Sequence, residues 1–151
     1  MVPAPTPRHQ RVLGNLFRMV EAHVRAHGLG KVYVAPVDVV LSRTTVVQPD
    51  LVYLSRDRVS LVGRHNIAGA PDLVVEILSS STAEMDRTQK AQIYARYGVP
   101  HFWLVDPDEQ VAEILELGEG AYESRERLAG PATFRPSLFQ GLVVGLAEVW
   151  D

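Results

Sequence analysis

Three acidic residues and one lysine carry the chemistry open to this sequence. Residues 70–80 read "APDLVVEILSS", an apolar, strand-like run with Asp72 near its start and Glu76 in its middle. A buried, unpaired carboxylate costs several kcal/mol or is driven to its neutral form. Glu76 therefore needs either a cationic partner or a task. Side chains alternate along a strand, so Asp72, Val74, Glu76 and Leu78 share one face, and Leu73, Val75 and Ile77 share the other. Asp72 and Glu76 are separated by roughly 13 Å of extended backbone, too far for two short side chains to grip one ion. Asp50 heads another strand, "DLVYL", and is the better partner for Glu76 if the two strands are neighbours about 4.8 Å apart. Two carboxylates above one sheet suit a hard divalent cation such as Mg²⁺.

The helix that follows the Glu76 strand can swing back over the sheet and bring Lys90 to the carboxylates. Lys31 and Lys90 are the two lysines among 15 basic residues, so a lysine here is a rare choice. It serves as a compact point charge where a broad arginine fork fits less well. Blander readings stand beside this one. Asp86, four residues before Lys90, makes a surface helix pair worth a few tenths of a kcal/mol. Glu76 can also be half of a buried salt bridge to an arginine. His9 reads as an exposed polar residue just inside the first helix, His101 as a strand-entry residue, and Tyr94 and Tyr97 as core or rim. Asp106 suits the turn before Pro107.

These residues are positioned by an ordered set of elements. Thr6-Pro7 caps and opens a helix whose stripe of Leu13, Leu16, Phe17, Val20 and Val24 runs to about His27, and Gly28 and Gly30 end it. "KVYVAPVDVVL" is strand-like, with Pro36 marking an edge or bulge. After the "DLVYL" strand, residues 55–70 form a polar connection holding Arg56, Arg58, Arg64, His65 and Asn66. The Glu76 strand follows. A helix capped by Ser81 or Thr82 comes next, with Ala91, Ile93, Tyr94 and Tyr97 facing inward and Gly98 stopping it. "HFWLVDP" is a strand, "VAEILEL" and "AYESRERL" form a hairpin across Gly118 and Gly120, and "FQGLVVGLAEVW" packs on the core. The order predicts an α+β fold, a mixed sheet flanked by at least two helices, in one domain over residues 1–151.

No cysteine is present among the 151 residues, which excludes disulfides and cysteine-based zinc sites. No apolar run reaches the roughly 18 residues of a membrane span. "MVPAPTPRHQ" lacks a secretion-signal layout, so a cytoplasmic protein is expected. The net charge of −3 is uneven. Residues 1–96 hold 12 of the 15 Lys+Arg and 8 of the 18 Asp+Glu, leaving an acidic remainder. A basic first portion permits a polyanion-binding face, with Arg56, Arg58, Arg64 and Arg87 as candidate contacts. Charge and residue types alone leave three functions open: a metal-assisted enzyme, a non-catalytic nucleic-acid-binding or regulatory module, and a partner-binding protein with an acidic interface.

"QPDLVYL", "GAPDLVVEILSSST", "DRTQKAQIYARYGV" and "FWLVDP" occur in that order. With them the chain resembles the putative restriction endonuclease family, expanded in cyanobacteria, of the PD-(D/E)xK nuclease superfamily. The resemblance runs from about Pro5 to Trp150, and "PTPRHQRVLGNL" matches the family's first helix, where a histidine at the place of His9 is typical. It implies a restriction-endonuclease-like core and metal-dependent hydrolysis of DNA, with Asp50 and Glu76 as ligands of Mg²⁺ or Mn²⁺, Lys90 as the third catalytic residue, and a homodimer for cutting both strands. Asp72 and His9 are then supporting residues. The superfamily places its lysine two residues after the second acid, where this chain has Leu78. In this family the lysine comes from the next helix instead, which points to Lys90. Ser79-Ser80-Ser81-Thr82 and His101-Phe102-Trp103 also depart from the common pattern, and the further N-terminal segment that many members carry before the first helix is not expected here.

Overall fold

A computed structural model of the chain describes residues 4–79 and 83–151. The first helix, α1 (Pro7–His27), starts where Thr6 accepts a hydrogen bond from the His9 backbone N–H and stops at Gly28, whose left-handed φ of 61° suits glycine. The long strand-like stretch after it is interrupted: β1 (Gly30–Val34) ends before the cis Ala35–Pro36 bond, and β2 (Val39–Val40) and β3 (Val46–Val47) form a small separate sheet. Next come β4 (Leu51–Ser55), a short 3₁₀ turn at Val59–Leu61 within the polar connection, and β5 (Leu73–Ile77). The second helix, α2 (Ala83–Arg96), leads into β6 (His101–Asp106), and β7 (Val111–Leu117) and β8 (Tyr122–Ala129) form the expected hairpin. The C-terminal stretch divides into the ribbon of β9 (Thr133–Phe134) with β10 (Val144–Gly145) and the short α3 (Leu146–Trp150). The Ser81 or Thr82 cap, and the side chain of Asp86, lie outside the described residues.

The main sheet has the order β1-β4-β5-β6-β7-β8, antiparallel except for the β5–β6 pair. Parallel neighbours need a crossover, and α2 supplies it. β4 and β5 lie in the middle with both faces covered, which is why they read as nearly unbroken apolar runs. One face packs α1 and α3 over Leu51, Leu73, Val75, Ile77 and Trp103. The other packs Tyr94 of α2 and Val39 over Val52, Leu54, Val74 and Leu104. The fold is the expected mixed sheet flanked by helices.

Candidate active site

The register of the two central strands decides where the acids meet. Leu51 pairs with Val75 in antiparallel β4–β5, so the next residues outward, Asp50 and Glu76, face each other on adjacent strands. Asp50 Oδ2 accepts the Ile77 backbone N–H at 2.7 Å, which pins its carboxylate against β5. His9, reaching over from α1, places Nε2 3.3 Å from the same oxygen. Its other ring nitrogen lies 2.9 Å from Gln10 Oε1. With an acceptor facing each nitrogen, the ring is best satisfied as the imidazolium. The hydrogen bond to Asp50 is the main reason the His9 pKa is raised, against the opposing effect of burial. His9 is thus buried and engaged, unlike the exposed polar residue that a histidine near a helix start suggests.

Glu76 is 2% exposed. Lys90 Nζ donates to its Oε2 at 2.5 Å, and the Tyr94 hydroxyl donates to its Oε1 at 2.9 Å. The partner of Glu76 is the lysine of α2 rather than an arginine. Burial nevertheless pushes the Glu76 carboxyl up to about 7; Lys90 pulls it down, and the neighbouring Asp50 charge pushes it further up. Burial, then the Glu76 charge, raises the Tyr94 phenol well above its ordinary value. α1 and α2 lie on opposite faces of the sheet, so the acids draw side chains from both layers to one end of it.

The remaining candidates are distributed elsewhere. Asp72 sits at the other end of β5, accepting the Ser55 N–H at 2.6 Å and facing Arg58 Nε at 3.5 Å. Arg58 also donates to the Ala70 and Pro71 carbonyls, so it clamps the entry to β5. Arg56 follows β4 at the same far end, and Arg64 is exposed in the loop beyond the 3₁₀ turn. Arg87 pairs with Glu113 of β7, beside a cleft of about 440 Å³ between α2 and the β7–β8 hairpin, away from the carboxylates. His101 opens β6, and Asp106 Oδ1 accepts the Asp108 and Glu109 N–H groups in its turn. Tyr94 is the site residue that sequence reasoning assigned to the core. Its signal was the four-residue spacing from Lys90, which stacks both on one helix face.

The donor chemistry suits a divalent ion. Among the described residues no group of three His, Cys, Asp or Glu is arranged to hold a metal. Asp50 and Glu76 supply two carboxylates, and their hydrogen bonds leave lone pairs on both. Mg²⁺ is commonly held by one or two carboxylates while keeping several waters, and a cation would offset both the burial and the lesser Asp50 repulsion that hold the Glu76 carboxyl up. The two residues fit the ion.

The mixed sheet flanked by helices is shared with a solved structure. The crystal structure of a putative nuclease belonging to DUF820 from Anabaena variabilis is similar to this chain at a TM-score of 0.79 and 21% identity, covering 98% of this chain and 83% of that one. The sequence matches the family described as Uma2, putative restriction endonuclease, over residues 1–147, and the chain belongs to that family. None of the curated proteins matches it. No helix among the described residues is long and apolar enough to cross a membrane.

Proposed function

We propose that the protein is a divalent-metal-dependent endonuclease that hydrolyses DNA phosphodiester bonds. The observation that carries this reading is Glu76, buried beside Asp50 and gripped by Lys90 and Tyr94. Family membership and the shared fold support it. Asp50 and Glu76 are the residues to hold Mg²⁺ or Mn²⁺. When bound, such an ion supplies positive charge against the phosphate and lowers the pKa of its water. His9 and the Ile77 N–H fix the orientation of Asp50, and Tyr94 fixes one oxygen of Glu76. Lys90 places an ammonium next to the acids, where its positive charge orients the attacking water and stabilises charge developing on the phosphate. Basic side chains of the first 96 residues attract the DNA backbone without regard to sequence. Two copies related by a two-fold axis would address both strands of a duplex.

The test is cleavage of supercoiled plasmid with Mg²⁺ or Mn²⁺ by the wild type and by Asp50→Asn, Glu76→Gln and Lys90→Ala. Cleavage by the wild type alone is expected. Metal-dependent activity that survives loss of both acids would show that the site is elsewhere. A wild type that binds duplex but never cuts it would favour the non-catalytic module.

A further inference from the structure

The arginines at the far end of the sheet cannot reach a phosphate held at the carboxylates. From Asp50 to Arg56 is six residues of largely extended chain, roughly 20 Å. Arg8 lies at the near end. It is exposed in the first turn of α1, next to His9, and its Nη2 donates to the Pro107 carbonyl of the β6–β7 turn at 3.1 Å. A small cleft of about 80 Å³ opens there, lined by Arg8, His9, Leu78, Ser79 and Asp108 among others. One wall is therefore the histidine that contacts Asp50, and another is the chain two residues beyond Glu76. Among the described residues no carboxylate is ion-paired with Arg8.

From this arrangement we infer that Arg8 is a phosphate-binding residue. It grips the DNA backbone in the cleft beside the carboxylates, an assignment that rests on the nuclease reading for the identity of the polymer. One guanidinium N–H is spent on the Pro107 carbonyl, which fixes the fork against the β6–β7 turn. A guanidinium carries five donors, so the others remain for phosphate oxygens, and a pre-oriented fork loses little rotamer freedom on binding. The Ser79 hydroxyl supplies a neutral donor on the same cleft. Asp108 is the opposing charge on its rim, exposed and turned by its N–H toward Asp106. A phosphate entering the cleft gains from Arg8 and is repelled by Asp108. The two residues must then act with opposite sign on DNA affinity.

Binding of the full-length chain to a fluorescein-labelled duplex is measured by anisotropy across a salt series, with Ca²⁺ replacing Mg²⁺. Arg8→Gln keeps a polar side chain at the position and removes the charge. It should weaken binding about tenfold and reduce the log–log salt slope by about 0.9, the share of one phosphate contact. Asp108→Asn should tighten binding about two- to threefold. Arg56→Ala, at the far end of the sheet, should change it less than Arg8→Gln. An unchanged slope in Arg8→Gln, weaker binding in Asp108→Asn, or an equal loss in Arg56→Ala overturns the assignment. If Arg8→Gln lowers the melting temperature, the Asp108→Asn result decides alone. A wild type that binds no duplex also overturns it, whereas one that binds but does not cleave overturns only the nuclease reading.

Discussion

Replacing Glu76 by glutamine should stabilise the metal-free protein at alkaline pH and do so much less at pH 5. The carboxyl moves from an ordinary value of 4.5 to about 7 on folding. At about 1.4 kcal/mol per pKa unit this is on the order of 3 kcal/mol. The native state holds the proton more tightly than the unfolded chain. The stability contributed by protonated Glu76 is fully present below pH 4.5 and is lost as pH rises through about 7. Glutamine keeps one carbonyl oxygen to accept from Lys90, and its amide N–H can donate to the Tyr94 hydroxyl oxygen in place of the bond that Tyr94 gives Glu76, without the charge that burial disfavours. Its advantage above pH 8 is therefore up to about 3 kcal/mol, or roughly 6–10 °C in Tm for a chain of this size. The raised His9 pKa adds its own loss of stability with rising pH, but it is common to both proteins and cancels in the difference. Thermal melts of both proteins in EDTA, followed by circular dichroism at pH 5 and pH 8.5, provide the measurement. Mg²⁺ at pH 8.5 should then raise the wild-type Tm and leave Glu76→Gln where it was, because a ligand stabilises only the state that binds it. A Tm difference that is the same at both pH values would refute the reasoning.

Tyr94→Phe removes a hydrogen bond to a buried carboxylate and should cost about 1.5–3 kcal/mol in denaturant unfolding at pH 8, with less loss at pH 5, where Glu76 carries its proton. Thr6→Ala deletes the cap that accepts the His9 N–H; it should cost about 1 kcal/mol and weaken Mn²⁺ binding by calorimetry, because His9 starts from that turn. Gly30→Ala should destabilise the β1 edge beyond any other glycine replacement, since a Cβ there would sit 2.0 Å from the Leu54 carbonyl oxygen at a φ of 149°. Urea unfolding of this variant against Gly14→Ala, where an added Cβ meets open space outside its own helical backbone, checks the ranking.

Much of the framework was legible because it is written in local periodicity. The α1 stripe, the alternation around Glu76 and the Gly98 stop depend on neighbouring residues and survive in the structure. The distance argument that separated Asp72 from Glu76 also held, since strand rise is nearly constant: Asp72 ends among Ser55 and Arg58. Less legible was the break at Pro36, where one strand-like stretch became β1 and β2. β-branched residues favour extended chain without specifying which partner it pairs with.

By itself the sequence determined which residues had the chemistry and which faced the same way: an acid inside an apolar strand, a second acid heading another, and a lysine on the helix between β5 and β6. Tertiary structure alone decided who touches whom. Antiparallel pairing of β4 with β5 set Asp50 opposite Glu76, and α1 and α2 on opposite faces brought His9 and Lys90 to the same end of the sheet. The parallel β5–β6 pair put the Pro107 turn beside Arg8, while Arg56 and Arg58 stayed at the far end. Spacing along one element follows from a fixed rise per residue. Contact between elements depends on strand order and register, which no local window of sequence encodes.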